Sequence, residues 1–140
     1  MKNFLIFFLS LTVSQKIFAI SVGHFQIKNL LQSYQKSEQK IQTLDLGTSD
    51  PHHFNPTPKT LKKILKAKKF IAPPKELTPW LPALVKKRKK PTLTLKISND
   101  YLKKYNNDAD SLSHFWLYPE VSCDFLKQIS QFLGESLKTC

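Results

Sequence analysis

Short strand-like segments alternate with helix-like segments along residues 20–134, and this alternation is the feature that most constrains the fold. Residues 27–34 place apolar side chains at i, i+3, i+4 and i+7, which is helical spacing. Residues 92–97 instead alternate apolar and polar side chains, as a strand does. Strands separated by helices usually pair in parallel. The sequence therefore predicts a single α/β lobe, with a parallel sheet of about four strands flanked by helices on both faces.

Further local signals place the remaining elements. The predicted strands are residues 20–25, 39–46, 70–72 and 92–97. Thr57 and Pro58 are a good N-cap and first residue for a helical run over 59–69. A last helix covers 121–132, with Gly134 as its candidate C-cap. We predict that residues 98–113 form a polar loop.

The N-terminus has the pattern of an export signal. Lys2 precedes an apolar run over residues 4–13, and Ala19 ends a plausible cleavage site. That run is too short to span a bilayer comfortably. We interpret residues 1–19 as a cleaved signal peptide and 20–140 as a soluble, periplasmic mature chain; the alternative is a buried N-terminal strand or helix.

Two cysteines remain in the mature chain, Cys123 and Cys140. In an oxidising compartment they could pair. We interpret Cys123 as a helix residue partly packed into the core, and the state of Cys140 stays open.

The chain is strongly basic, with a formal net charge of +12. Residues 59–104 hold 15 of the 22 basic side chains. Arg88 is the only arginine, although guanidinium is the side chain best suited to reading phosphates and bases. We interpret the lysines as a solvated face rather than a specific nucleic-acid site; the alternative is a patch that binds nucleic acid or anionic lipid.

Two histidines follow predicted strands. His52 comes after residues 39–46 and His114 comes after residues 92–97. Loops at the carboxyl ends of parallel strands meet at one edge of the sheet, where ligands usually bind. Because neutral imidazole is a common ligand for zinc, the two side chains predict half of a metal site.

Four motifs occur in a fixed order around these histidines. They are residues 50–58 (DPHHFNPTP), 68–71 (KKFI), 77–80 (LTPW) and 112–119 (LSHFWLYP). In this order they resemble the N-terminal lobe of the periplasmic zinc- and manganese-binding proteins that serve metal-uptake ABC transporters. The resemblance covers residues 20–134.

The resemblance implies that His52 and His114 are the metal ligands of this lobe. His53 is not the implied ligand, because the imidazole of the family motif follows the proline directly. His24 lies at the same predicted edge; we interpret it as a packed or hydrogen-bonded residue, with a ligand role as the alternative.

The chain also departs from the family pattern. Family members are about twice as long and carry a second lobe with the remaining ligands, so the C-terminal lobe is expected to be absent here. Leu112 and Ser113 replace Asp-Pro, and Tyr118 replaces an aspartate. Each change is expected to weaken the orientation of the second imidazole, because neighbouring groups hold a ligand in its tautomer.

The predicted function is binding of a divalent metal, zinc before manganese, for uptake through an ABC-transporter permease. The alternative is a truncated lobe without tight metal binding that acts as an interaction protein or pairs with a separate chain supplying the second lobe. A third interpretation is a secreted basic protein that binds nucleic acid or anionic lipid. We do not expect an enzyme, since the sequence contains no recognisable triad, carboxylate pair or phosphate-cradling glycine loop.

Overall fold

The structure is a computed structural model that describes residues 20–34, 40–44, 46 and 49–135. The predicted signal peptide, residues 1–19, lies outside the described residues, as does Cys140. In the described ranges, no helix has the length and apolar character needed to cross a membrane.

Four strands form one parallel sheet, as predicted. They are β1 (Ile20–Val22), β2 (Ile41–Thr43), β3 (Lys69–Ala72) and β4 (Thr92–Thr94), in the order β2-β1-β3-β4. Because all four strands run in the same direction, their carboxyl ends lie along a single edge, which we call the carboxyl edge. The opposite edge, where the strands begin, is the amino edge.

The helices cover both faces of this sheet, which confirms the predicted architecture. They are α1 (Phe25–Tyr34), α2 (Pro58–Lys66), α3 (Leu81–Val85), α4 (Asn99–Lys104), α5 (Ala109–Ser113) and α6 (Pro119–Leu133), with a 3-10 turn at Phe115–Leu117. On β3, Ile71 packs into a core that contains α1 and α6 residues. Its neighbours Phe70 and Ala72 belong instead to a second core with Ile64 of α2 and Leu81 of α3. Alternate side chains of one buried strand thus serve opposite layers.

Three of the strands are shorter than predicted, whereas β3 begins one residue earlier than predicted, at Lys69. The first ends at Val22: the Gly23 amide makes one more bond to β3, donating to the Ile71 carbonyl at 2.8 Å, and the chain then turns into α1. The fourth ends at Thr94. Beyond it, both backbone groups of Lys96 are bonded by the Gln128 side chain of α6, with the amide at 3.0 Å and the carbonyl at 2.7 Å. A side chain distant in sequence therefore replaces the last part of the ladder.

The prediction of a loop over residues 98–113 is wrong, since this segment contains α4 and α5. Ser98 and Asp108 each cap a helix by accepting a hydrogen bond from the amide three residues on. Ser98 and Asp108 are typical N-cap residues, but few of the residues that follow them are apolar. The sequence pattern therefore did not indicate these helices. Helix α2 also ends at Lys66 instead of residue 69, because Lys69 begins β3.

The C-terminal helix agrees with the prediction. Gly134 ends α6 in the left-handed conformation, with φ of 71°. Cys123 lies half-buried within α6, as interpreted, and is disulfide-bonded.

We expect Gly23→Ala to lower the free energy of unfolding by about 1 to 3 kcal/mol, because a Cβ at this position would lie 2.6 Å from Cδ of Pro73. That proline follows the buried end of β3, so the backbone at one of the two positions has to move. Urea unfolding of the variant measures the loss. The comparison variant is Gly134→Asn, which has open space and keeps a residue that tolerates positive φ. Equal stability of Gly23→Ala and the parent chain would contradict the prediction.

Candidate metal centre

Three histidines lie at the carboxyl edge of the sheet. His24 follows β1, His52 lies on the segment between β2 and α2, and His114 ends α5. The imidazole rings of His52 and His114 are neighbours, with centroids 5.4 Å apart and planes inclined by 32°. The fold therefore brings together two side chains that are 62 residues apart in the sequence.

The turn that carries His52 is held from two sides. The Asp50 carboxylate accepts a hydrogen bond from the His52 amide at 2.9 Å, which closes a local turn. From the residue that precedes α3, the Trp80 indole N–H donates to the carbonyl of Pro51 at 2.9 Å. The 77–80 motif thus anchors the 50–58 motif, a relation that neither motif shows by itself.

His53 faces away from this pair. Its side chain is 86% exposed, and its Nδ1 lies 2.9 Å from the Asp50 carboxylate. This hydrogen bond and, next, the one from the His52 amide lower the pKa of Asp50. His53 and Asp50 therefore stabilise the turn through their mutual hydrogen bond.

His114 is oriented by the backbone of its own helix. Its Nδ1 lies 3.1 Å from the carbonyl oxygen of Asp110, so this nitrogen carries the proton and donates. In the neutral ring, Nε2 then keeps its lone pair. Ser113 supports the same carbonyl by donating its hydroxyl to it at 2.7 Å. With Leu112 and Ser113 in place of Asp-Pro, the imidazole of His114 is therefore still oriented by a hydrogen bond.

Asp110 is a residue of this site that the sequence did not reveal. Its carbonyl accepts from His114, and its exposed carboxylate lies 3.9 Å from Nδ1 of His52. At 3.9 Å this is an electrostatic contact and not a hydrogen bond. The sequence feature that could have revealed Asp110 is its position four residues before His114, the spacing of one helical turn.

His24 lies beside the pair, but its ring is buried and its Nδ1 is engaged in a hydrogen bond. The ring is 4% exposed and stacks on Trp116, with centroids 5.6 Å apart and planes inclined by 8°. Its Nδ1 accepts from the Gln26 amide at 3.3 Å, so the neutral ring carries its proton on Nε2. Burial and then the charge of His114 lower its pKa to about 4. These contacts agree with the interpretation of His24 as a packed, hydrogen-bonded residue.

The separation of the His52 and His114 ring centroids is compatible with one shared metal ion. Two imidazoles, each about 2.1 Å from a tetrahedral zinc through one nitrogen, have ring centroids about 5 Å apart. The observed separation is 5.4 Å. Within the described part of the chain, no three His, Cys, Asp or Glu side chains form a group that could hold a metal. Since tetrahedral zinc takes four ligands, this pair would supply half of its shell.

A parallel α/β lobe with two imidazoles at its carboxyl edge has the form of one half of a metal-binding protein. The chain belongs to the ZnuA family, described as zinc-uptake complex component A, periplasmic, whose model matches residues 23–137. The expected relation to the uptake-protein lobe is thereby confirmed.

Solved structures show the same fold. The Zn(II)-bound ZnuA-like domain of AdcA from Streptococcus pneumoniae has 22% sequence identity and a TM-score of 0.58 over 81% of this chain. The metal-dependent lipoprotein YcdH from Bacillus subtilis has 20% identity and a TM-score of 0.60 over 81% of this chain. This chain covers 42% of each of those two chains. No curated protein matches it.

Proposed function

We propose that this chain binds a divalent metal ion, zinc in preference to manganese, through His52 and His114, as part of a binding protein for ABC-transporter uptake. The observation that carries the proposal is the 5.4 Å separation of two imidazole rings at the carboxyl edge. Membership of a family of zinc-uptake components supports it. In this role the chain is a binding component and not an enzyme.

The surrounding residues prepare the imidazoles for this task. The Asp110 carbonyl holds His114 in the tautomer with a free Nε2, and the Asp110 carboxylate lies 3.9 Å from Nδ1 of His52. Trp80 holds the turn that carries His52. Neutral imidazoles suit zinc, whereas manganese prefers carboxylate, carbonyl and water oxygens. The ligand chemistry therefore favours zinc.

The family also suggests the compartment and the partner. Its description places the component in the periplasm, in a zinc-uptake complex, and one structure of the same fold is a Zn(II)-bound domain. We propose a periplasmic location for the mature chain and a membrane permease as the receiver of the metal. Water or a second lobe would complete the zinc shell.

Zinc titration of the chelator-treated chain tests this function. We expect one-to-one binding that weakens at least about a hundredfold in His52→Ala/His114→Ala, since ligand removal exceeds the 10- to 100-fold loss typical of an outer partner. The matched control is His53→Ala, which removes an exposed imidazole from the same turn and should bind zinc as the parent does. Parallel titration with manganese tests the preference.

Two results would contradict the proposal. Equally weak zinc binding by the parent chain and the double variant would show that the pair holds no metal, as the interpretation of a truncated interaction lobe expects. A loss of zinc affinity in His53→Ala as large as that in the double variant would show that the proposal assigns binding to the wrong histidines.

A further inference from the structure

Two lysine-rich segments that are distant in sequence converge on one surface. The first is the C-terminal half of α2 with the residues that follow, 62–69, and the second is residues 86–90. Arg88 donates to the carbonyls of Ile64 and Ala67, the latter at 3.0 Å, and Lys90 donates to the carbonyl of Lys66 at 3.0 Å. These bonds fasten the second segment to the end of α2. We call the combined surface the basic edge.

The basic edge lies at the amino edge of the sheet, whereas the histidine pair lies at the carboxyl edge. Lys69 is the first residue of β3, and Pro91, which follows the second segment directly, precedes β4. Both segments therefore lead into the amino ends of strands. His52 and His114 lie at the carboxyl edge, so the two surfaces can be occupied at the same time.

The charge of the basic edge is not neutralised by the rest of the described chain. Between residues 59 and 90 the sequence contains a single acidic residue, Glu76. Glu76 lies beyond the carboxyl end of β3 and is 3.9 Å from Lys75. Among the described residues, lysine ion pairs are formed by Lys75 and Lys104 alone. The exposed lysines of both segments thus present a surface of one sign.

The side chains of the basic edge are better suited to binding phosphate groups than to contacting nucleotide bases. Its arginine, Arg88, is half-buried and engaged with backbone carbonyls, so the guanidinium fork is occupied. Phe70, beneath that guanidinium, is fully buried, whereas surfaces that bind single-stranded nucleic acid use exposed aromatic rings for stacking. Leu65 instead exposes 43% of its surface among the α2 lysines. At a membrane surface, this aliphatic side chain can contact the lipid interface while the lysines around it contact the phosphates.

We propose that the basic edge is a docking surface for the headgroups of anionic phospholipids. Each lysine near an anionic membrane surface strengthens binding about fivefold, and the attraction is screened by salt. A lobe held in this way keeps its carboxyl edge turned toward solvent, where the histidine pair can receive an ion. This docking depends on the lysines and not on metal binding.

Vesicle sedimentation with the full chain tests the proposal. The probes are phosphatidylcholine vesicles with and without phosphatidylglycerol, at low and moderate salt. The test variant changes Lys62, Lys66, Lys87 and Lys89 to glutamine. The matched control makes the same substitution at exposed lysines outside the basic edge, which are Lys75, Lys96, Lys103 and Lys127. Both variants have the same net charge, and circular dichroism checks that both are folded.

We expect the parent chain to bind only vesicles that contain phosphatidylglycerol, and to lose binding with rising salt. The test variant should bind at least about a hundredfold more weakly, since each of the four lysines contributes about fivefold, and the control should keep most of its binding. Equal losses in both variants would overturn the proposal, because net charge alone would then explain binding. Tighter binding of a single-stranded or double-stranded oligonucleotide than of vesicles, at equal phosphate concentration, would also overturn it.

Discussion

Phe115→Ala is expected to lower the free energy of unfolding by about 3 to 5 kcal/mol. The side chain is 1% exposed, and its ring lies 5.2 Å from that of Phe125 of α6 and 5.2 Å from that of Trp116. Truncation would remove a large apolar group and leave a cavity where the 3-10 turn meets α6. Because the turn follows His114 directly, the same variant should also loosen that imidazole.

Urea unfolding monitored by circular dichroism measures this effect. The control is Leu117→Ala in the same turn, because Leu117 is 68% exposed and its removal should change the stability little. Similar losses in the two variants would show that burial of Phe115 does not hold the turn against α6.

The second large effect is a pH dependence that originates from His24. Its pKa is about 4 in the folded chain and about 6.5 when unfolded, so folding favours the neutral ring. The stabilisation is fully present above about pH 6.5 and is lost as the pH falls toward 4. This difference in pKa corresponds to about 3 kcal/mol of stability.

Denaturant unfolding of the metal-free chain at pH 7 and pH 4 measures this dependence. Several carboxylates also titrate in the interval, so the comparison is with His24→Asn, which keeps an acceptor for the Gln26 amide but does not titrate. We expect the parent to lose about 3 kcal/mol more than the variant over this range. Identical losses in the parent and His24→Asn would refute the assignment.

Local sequence patterns were sufficient to predict the class of fold. The helical spacing in residues 27–34 and the alternation in 92–97 correspond to α1 and to a segment that includes β4. The left-handed cap at Gly134 was also predictable, because glycine is the residue best suited to positive φ. These features depend on residues that are close together in the chain.

The ends of the elements were less predictable. Alternation continues through Ile97, yet β4 ends at Thr94, and Gln128 of α6 bonds the backbone of Lys96. A partner 32 residues away has no trace in the local pattern. Helices α4 and α5 were missed for a different reason: capping residues and tertiary contacts stabilise these short polar segments more than an apolar stripe does.

For the metal site, residue types and motifs were enough to select His52 and His114 as candidates. Neither could show that the rings approach to 5.4 Å, that Trp80 anchors the first turn, or that Asp110 faces both imidazoles. The same holds for the basic edge, where the sequence shows two lysine runs and the bonds of Arg88 join them.

The sequence by itself determined which residues are apolar, which can cap or turn, and which can bind a metal, because these are properties of side chains and near neighbours. Only the tertiary structure decided which distant residues meet. The parallel sheet gathers loops at its carboxyl edge and turns at its amino edge, and it thereby places imidazoles at one edge and lysines at the other. That separation follows from strand direction, a property of the assembled sheet.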